Sequence, residues 1–86
     1  MKLFFSERFR KDYKLFSVDM KQLINAKLKI FTENPLHPSL RTKKIRGKED
    51  IFETSINMHI RMTWNYHEGK ILLRAIGEHD KTLKNS

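Results

Sequence analysis

His59-Ile60-Arg61-Met62-Thr63-Trp64-Asn65-Tyr66 alternates apolar and polar side chains without a break. A period of two marks a half-buried strand. Ile60, Met62, Trp64 and Tyr66 are therefore expected to pack against a core, with His59, Arg61, Thr63 and Asn65 on the other side and Arg61 near the middle of an exposed face. Downstream, beyond the turn His67-Glu68-Gly69, Ile71-Leu72-Leu73-Arg74-Ala75-Ile76-Gly77 is apolar on both sides, as an interior strand is. Parity alone leaves the direction of Arg74 open. Upstream lie strand-like stretches at 51–57 and 40–46, set off by Asn57-Met58 and by Gly47-Lys48-Glu49-Asp50.

Ahead of these, the period changes from 2 to 3.6. Phe9, Tyr13 and Phe16 recur at spacings of four and three behind Ser6, a hydroxyl N-cap candidate followed by Glu7. Met20, Ile24, Leu28 and Phe31 repeat at four, four and three behind Ser17 and stop at Asn34-Pro35, where proline biases its neighbour away from helix. Both stripes read as core. The segment NPLHPSL, residues 34–40, holds both prolines and is the one clear loop. With a short apolar strand at Lys2 to Phe5, the order is β-α-α followed by three or four strands. That order is an α+β fold, a helical hairpin on one face of a small, mainly antiparallel sheet, leaving the other face for solvent or a ligand.

The chain has 86 residues, so a single domain spanning 1–86 is expected, with no room for a separate cofactor domain. With no cysteine, disulfide scaffolds, thiol catalysis and cysteine-based zinc sites are excluded. The N-terminus turns polar too early for a signal peptide, and no run approaches the roughly 18 apolar residues of a membrane span, so a cytoplasmic protein without membrane contact is expected.

Eighteen Lys and Arg against ten Asp and Glu give a net charge of +8. Five of the positive residues, Arg41, Lys43, Lys44, Arg46 and Lys48, stand in the run RTKKIRGK with no acid among them. Lysines also guard edge strands against aggregation, but a dense basic surface attracts phosphate backbones through counterion release, so a nucleic acid is the expected partner. If Ile45 faces the core, Thr42, Lys44 and Arg46 face the surface where Arg61 lies. None of the four histidines, His37, His59, His67 and His79, pair at metal-site spacings, and no metal or cofactor is expected. His37 and His67 read as loop residues. His79, between Glu78 and Asp80, has carboxylates that can hold its ring in one tautomer.

Cutting RNA without a metal needs a base for the 2′-hydroxyl, cations for the phosphoryl oxygens and an acid for the leaving 5′-oxygen. Arginines and lysines supply the second, and His79 is the one good candidate for the others. A ribosome that aligns the message would compensate for so sparse a site.

The β-α-α-β-β-β order, the stretches NPLHPSLRTKKIRG (34–47), IRMTWNY (60–66) and ILLRAIGEHD (71–80) together resemble the RelE/ParE superfamily of bacterial type II toxin–antitoxin toxins over nearly the whole chain. Gly77-Glu78-His79 looks most like the ribonuclease branch that includes YafQ. The resemblance implies a toxin that cuts messenger RNA on the ribosome and a cognate acidic antitoxin that covers its basic surface. By position it implies His79 as the catalytic histidine and Arg61 as the phosphate-stabilising arginine. It also makes Arg41, Lys43, Lys44, Arg46 and Lys48 RNA-gripping residues, with Arg74 a further phosphate-binding candidate. Two positions depart from the pattern. Ala75 stands where a YafQ-like protein has a site arginine, one residue from Arg74, and no RelE-like tyrosine follows His79. The alternative is a ParE-like toxin that binds DNA gyrase without nuclease chemistry.

Overall fold

The structure, a computed structural model, describes residues 2–47 and 50–78. Strand β1 (Leu3–Phe5) leads into helix α1 (Glu7–Lys14), and α2 (Val18–Glu33) follows after a short turn. Both hydroxyl caps form as the sequence implies: Phe9 N–H donates to Ser6 Oγ at 3.0 Å and Met20 N–H to Ser17 Oγ at 3.2 Å. A short 3-10 helix (Pro38–Leu40) precedes β2 (Lys43–Lys44), β3 (Phe52–Ser55), β4 (Ile60–His67) and β5 (Lys70–Glu78).

The five strands form one mixed sheet in the order β1-β5-β4-β3-β2. β1 pairs parallel with β5 and all other pairs are antiparallel. The two helices pack on one face. Phe9, Ile24 and Phe31 from the helices meet Met62, Trp64, Ile71, Leu73 and Ile76 from β4 and β5 in a single core. Phe31 stands edge-on to Trp64 at 5.0 Å, and Phe52 stacks on its other side at 4.6 Å.

Trp64 also anchors the loop. Its indole N–H donates to Thr54 Oγ1 at 2.9 Å, while Thr42 donates its one hydroxyl proton to the Pro35 carbonyl. The 2.7 Å contact between the two hydroxyls is therefore donated by Thr54.

Two expectations change here. The strand expected at 40–46 shrinks to Lys43–Lys44, because the 3-10 helix occupies 38–40 and Arg41 takes a left-handed conformation, φ 49°. Tyr66, expected in the core, is exposed near the C-terminal end of β4, although its ring still meets Phe52 and Trp64 edge-on.

β5 carries the feature that decides where Arg74 points. Thr63 lies opposite Ala75 and Trp64 opposite Leu73, so Arg74 is the extra residue of a β-bulge. β1 ends here, and Ser6 takes over its pairing: Ser6 N–H donates to the Leu73 carbonyl and Ser6 Oγ to the Arg74 carbonyl at 2.7 Å. Beyond it, Ile76 N–H donates to Asp12 of α1. The bulge lets Arg74 reach the helix-free face, where its Nη1 donates to Asn65 Oδ1 at 3.0 Å.

Candidate nucleic-acid interface

Cross-strand register places Lys43, Glu53, Ser55, Arg61, Thr63, Asn65, Ala75 and Gly77 on the face without helices. Its middle is not the open platform expected from the sequence. Glu53 is 2% exposed, Thr63 0% and Ala75 1%. The side chains of Lys43, Arg61 and Arg74 border this closed centre, and Thr63 Oγ1 and Arg74 Nε are buried there without a hydrogen-bond partner among the described residues.

Glu53 is one residue that sequence reasoning missed. Its Oε1 lies 3.7 Å from Arg61 Nε and 4.0 Å from Lys43 Nζ, so one buried carboxylate sits between cations from the two neighbouring strands. A buried charge of this kind requires its partners. Its signal was present in the sequence: in a hairpin that sets Ser55 opposite Arg61, Glu53 falls on Arg61's side.

Arg61 lies at the start of β4 rather than mid-face, and its side chain is 19% exposed. Asn57 shapes the turn before it by accepting from the N–H groups of His59 and Ile60, both at 2.8 Å. Arg61 Nη1 then donates to the Asn57 carbonyl and to that of Ile60. Nε faces Glu53. The guanidinium is thus fixed in direction.

That arginine lines a cavity of about 260 Å³ at the end of the sheet, together with Arg41, Lys27 of α2, Ser39, Ser55 and Asn57. Three cations from three separate parts of the chain, with hydroxyl and amide groups between them, form a site suited to a phosphate. Lys27, Ser39 and Ser55 were not foreseen, because only the tertiary fold brings α2 and the 3-10 helix to this corner.

The basic run is divided. Lys43 faces Glu53 and Arg61, but Lys44 lies opposite Phe52 with its ammonium 5.9 Å from that ring, on the helix side of the sheet edge. Thr42 also turns inward, to Thr54. This corrects the expectation that Lys44 and Thr42 share Arg61's surface: the parity is the reverse. Arg41 and Arg46 are exposed. Lys48 and His79 lie outside the described residues. His37 Nδ1 accepts from Ser39 N–H and caps the 3-10 helix, while His67 pairs with Glu68 at the turn. Among the described residues, no group of three His, Asp or Glu is placed to hold a metal ion, and no helix is long and apolar enough to cross a membrane.

No family model matches this sequence. No curated protein matches it either. Solved structures do. A YoeB/ParE toxin from Agrobacterium tumefaciens superposes with a TM-score of 0.77 at 16% identity, covering 92% of this chain and 99% of that one. YafQ from Escherichia coli gives a TM-score of 0.77 at 13% identity, covering 93% and 94%. A structure of the RelB–RelE antitoxin–toxin complex from Methanococcus jannaschii gives 0.73 at 18% identity, covering 90% and 91%. The chain therefore has the fold of the YoeB/ParE, RelE and YafQ toxins.

Proposed function

We propose that this chain is the toxin of a type II toxin–antitoxin pair, a metal-independent endoribonuclease that cuts messenger RNA on the ribosome and so stops translation in the bacterial cytoplasm. The observation that carries this reading is the cavity in which Arg61, Arg41 and Lys27 converge, on a fold shared with toxins of that type.

In the proposed reaction a phosphodiester sits in this cavity, and Arg61 and Arg41 stabilise the charge that grows on its non-bridging oxygens. The 2′-oxygen attacks phosphorus as its proton is removed. The 5′-oxygen leaves as it is protonated, giving a 2′,3′-cyclic phosphate and a 5′-hydroxyl. His79 is proposed for the proton transfers: Glu78 lies opposite Ile60, the neighbour of Arg61, and His79 is the next residue in the chain. Lys43, Arg46, Lys48 and Arg74 are proposed to steer the RNA. Lys44 is given a lesser part because it faces the other side of the sheet.

The partner proposed is an acidic antitoxin that covers the basic surface, as RelE in the Methanococcus structure is bound by RelB. Opposite charge would speed its association.

Inducing the protein in a bacterium should arrest growth, co-expression of the acidic partner should relieve the arrest, and mapped messages should carry new 5′ ends within codons. His79→Ala should abolish those ends. Arrest with intact messages and gyrase-dependent DNA breaks would replace this reading with the ParE-like one, which is favoured by a single feature, the engagement of Arg61 by Glu53 and the turn carbonyls.

A further inference from the structure

At the other end of the helix-free face stands an aromatic ring between two lysines. Leu3 of β1 lies opposite Ile71 and packs on the core, so Phe4, opposite Leu72, points to the face without helices. Phe4 is 41% exposed. The Lys2 ammonium lies 5.6 Å from its ring centroid and the Lys70 ammonium 5.0 Å. Leu72 pairs with Asn65 on its other side, so Phe4, Leu72 and Asn65 form one row, to which Arg74 is tied through its bond to Asn65. The nearby turn carries one carboxylate, Glu68, which lies 3.9 Å from the His67 ring.

We propose that Phe4 is a stacking platform for an unpaired base of single-stranded RNA, with Lys2 and Lys70 neutralising the phosphates on either side of that base. Lysines alone suffice to protect an edge strand from pairing with another chain; what sets Phe4 apart is an exposed ring held between two ammonium groups. Base–aromatic stacking beside cations is the usual way to hold a single strand without regard to sequence. The site rests on the RNA-cutting function proposed above and extends it. Asn65 is four residues from Arg61 along β4, about 13 Å, and Phe4 is two strands across, about 10 Å. A strand lying along the diagonal from the cavity to the ring, about 16 Å, would span roughly five nucleotides at 3.4 Å per stacked step.

Fluorescence anisotropy with a labelled ten-nucleotide 2′-O-methyl RNA, which cannot be cut, measures binding apart from cleavage. Against the full-length wild type, Phe4→Leu should weaken binding about 5- to 100-fold although it keeps an apolar side chain at the edge. Phe4→Trp should keep the affinity, and its emission should be quenched on binding, since the native Trp64 is fully buried and does not report. Lys2→Ala/Lys70→Ala should lower the slope of log affinity against log salt by about two. The proposal is overturned if Phe4→Leu binds within twofold of wild type, if the wild type does not bind, or if Phe4→Leu loses only the complex with the acidic antitoxin. A wild type that binds through Phe4 yet cuts no message would refute the nuclease reading and leave the platform standing.

Discussion

The two faces of the sheet are built on different physical terms. Toward the helices, Phe9, Ile24, Phe31, Met62, Trp64 and Leu73 pack as an apolar core, and the polar chain beside it, from Trp64 through Thr54 and Thr42 to the Pro35 carbonyl, is hydrogen-bonded throughout. Away from the helices the centre is equally dry, yet it holds Glu53 among cations and leaves Thr63 Oγ1 and Arg74 Nε unmatched among the described residues. An apolar face contributes stability in proportion to the area it buries. A dry charged face gives up stability and gains directed charge, which is what a site acting on phosphate requires.

The largest expected effect belongs to the helix side. Phe31→Ala opens a cavity against Trp64 and should cost about 3–5 kcal/mol, a fall in melting temperature of roughly 4–8 °C per kcal/mol in a domain of this size. Glu53→Ala on the opposite face should cost less, about 2–3 kcal/mol, because Lys43 is well exposed and water screens it. The same change should raise affinity for RNA and steepen its salt dependence, since an anion leaves the phosphate-facing surface; calorimetry and anisotropy would read the two opposite signs. If Glu53→Ala weakens RNA binding instead, the contrast between the faces is wrong.

Thr54→Val should cost about 1–3 kcal/mol in chemical denaturation, because the buried Trp64 N–H loses its acceptor and Thr42 its donor. Smallest is the difference between adjacent lysines. Lys43→Ala should reduce the salt slope of RNA binding by about one, while Lys44→Ala should leave it nearly unchanged. Equal effects would mean that both reach the same surface.

The helix side was legible in the sequence because its signals are local. Ser6 and Ser17 cap as expected, the apolar stripes meet in one core, and the alternation of Ile60, Met62 and Trp64 holds. The helix-free face was legible only in part. Arg61 was found by parity, but its partner Glu53 depends on hairpin register and Lys27 on the placement of a distant helix. Arg74 could not be oriented because a bulge breaks the alternation on which the reading relies. The reversed parity of the 41–48 run has a similar origin: the left-handed turn at Arg41 and the inward pull of Thr54 on Thr42 set the direction of that strand.

The most direct test of the central claim is a purified reaction in which a defined message, held on ribosomes with one codon in the decoding site, is given the wild type or Arg61→Ala. The account predicts new 5′-hydroxyl ends within that codon, formed only when ribosomes are present, and a rate about 10²–10³ lower for the folded Arg61→Ala variant. A message left whole by the wild type, or cut equally fast by Arg61→Ala, would contradict it.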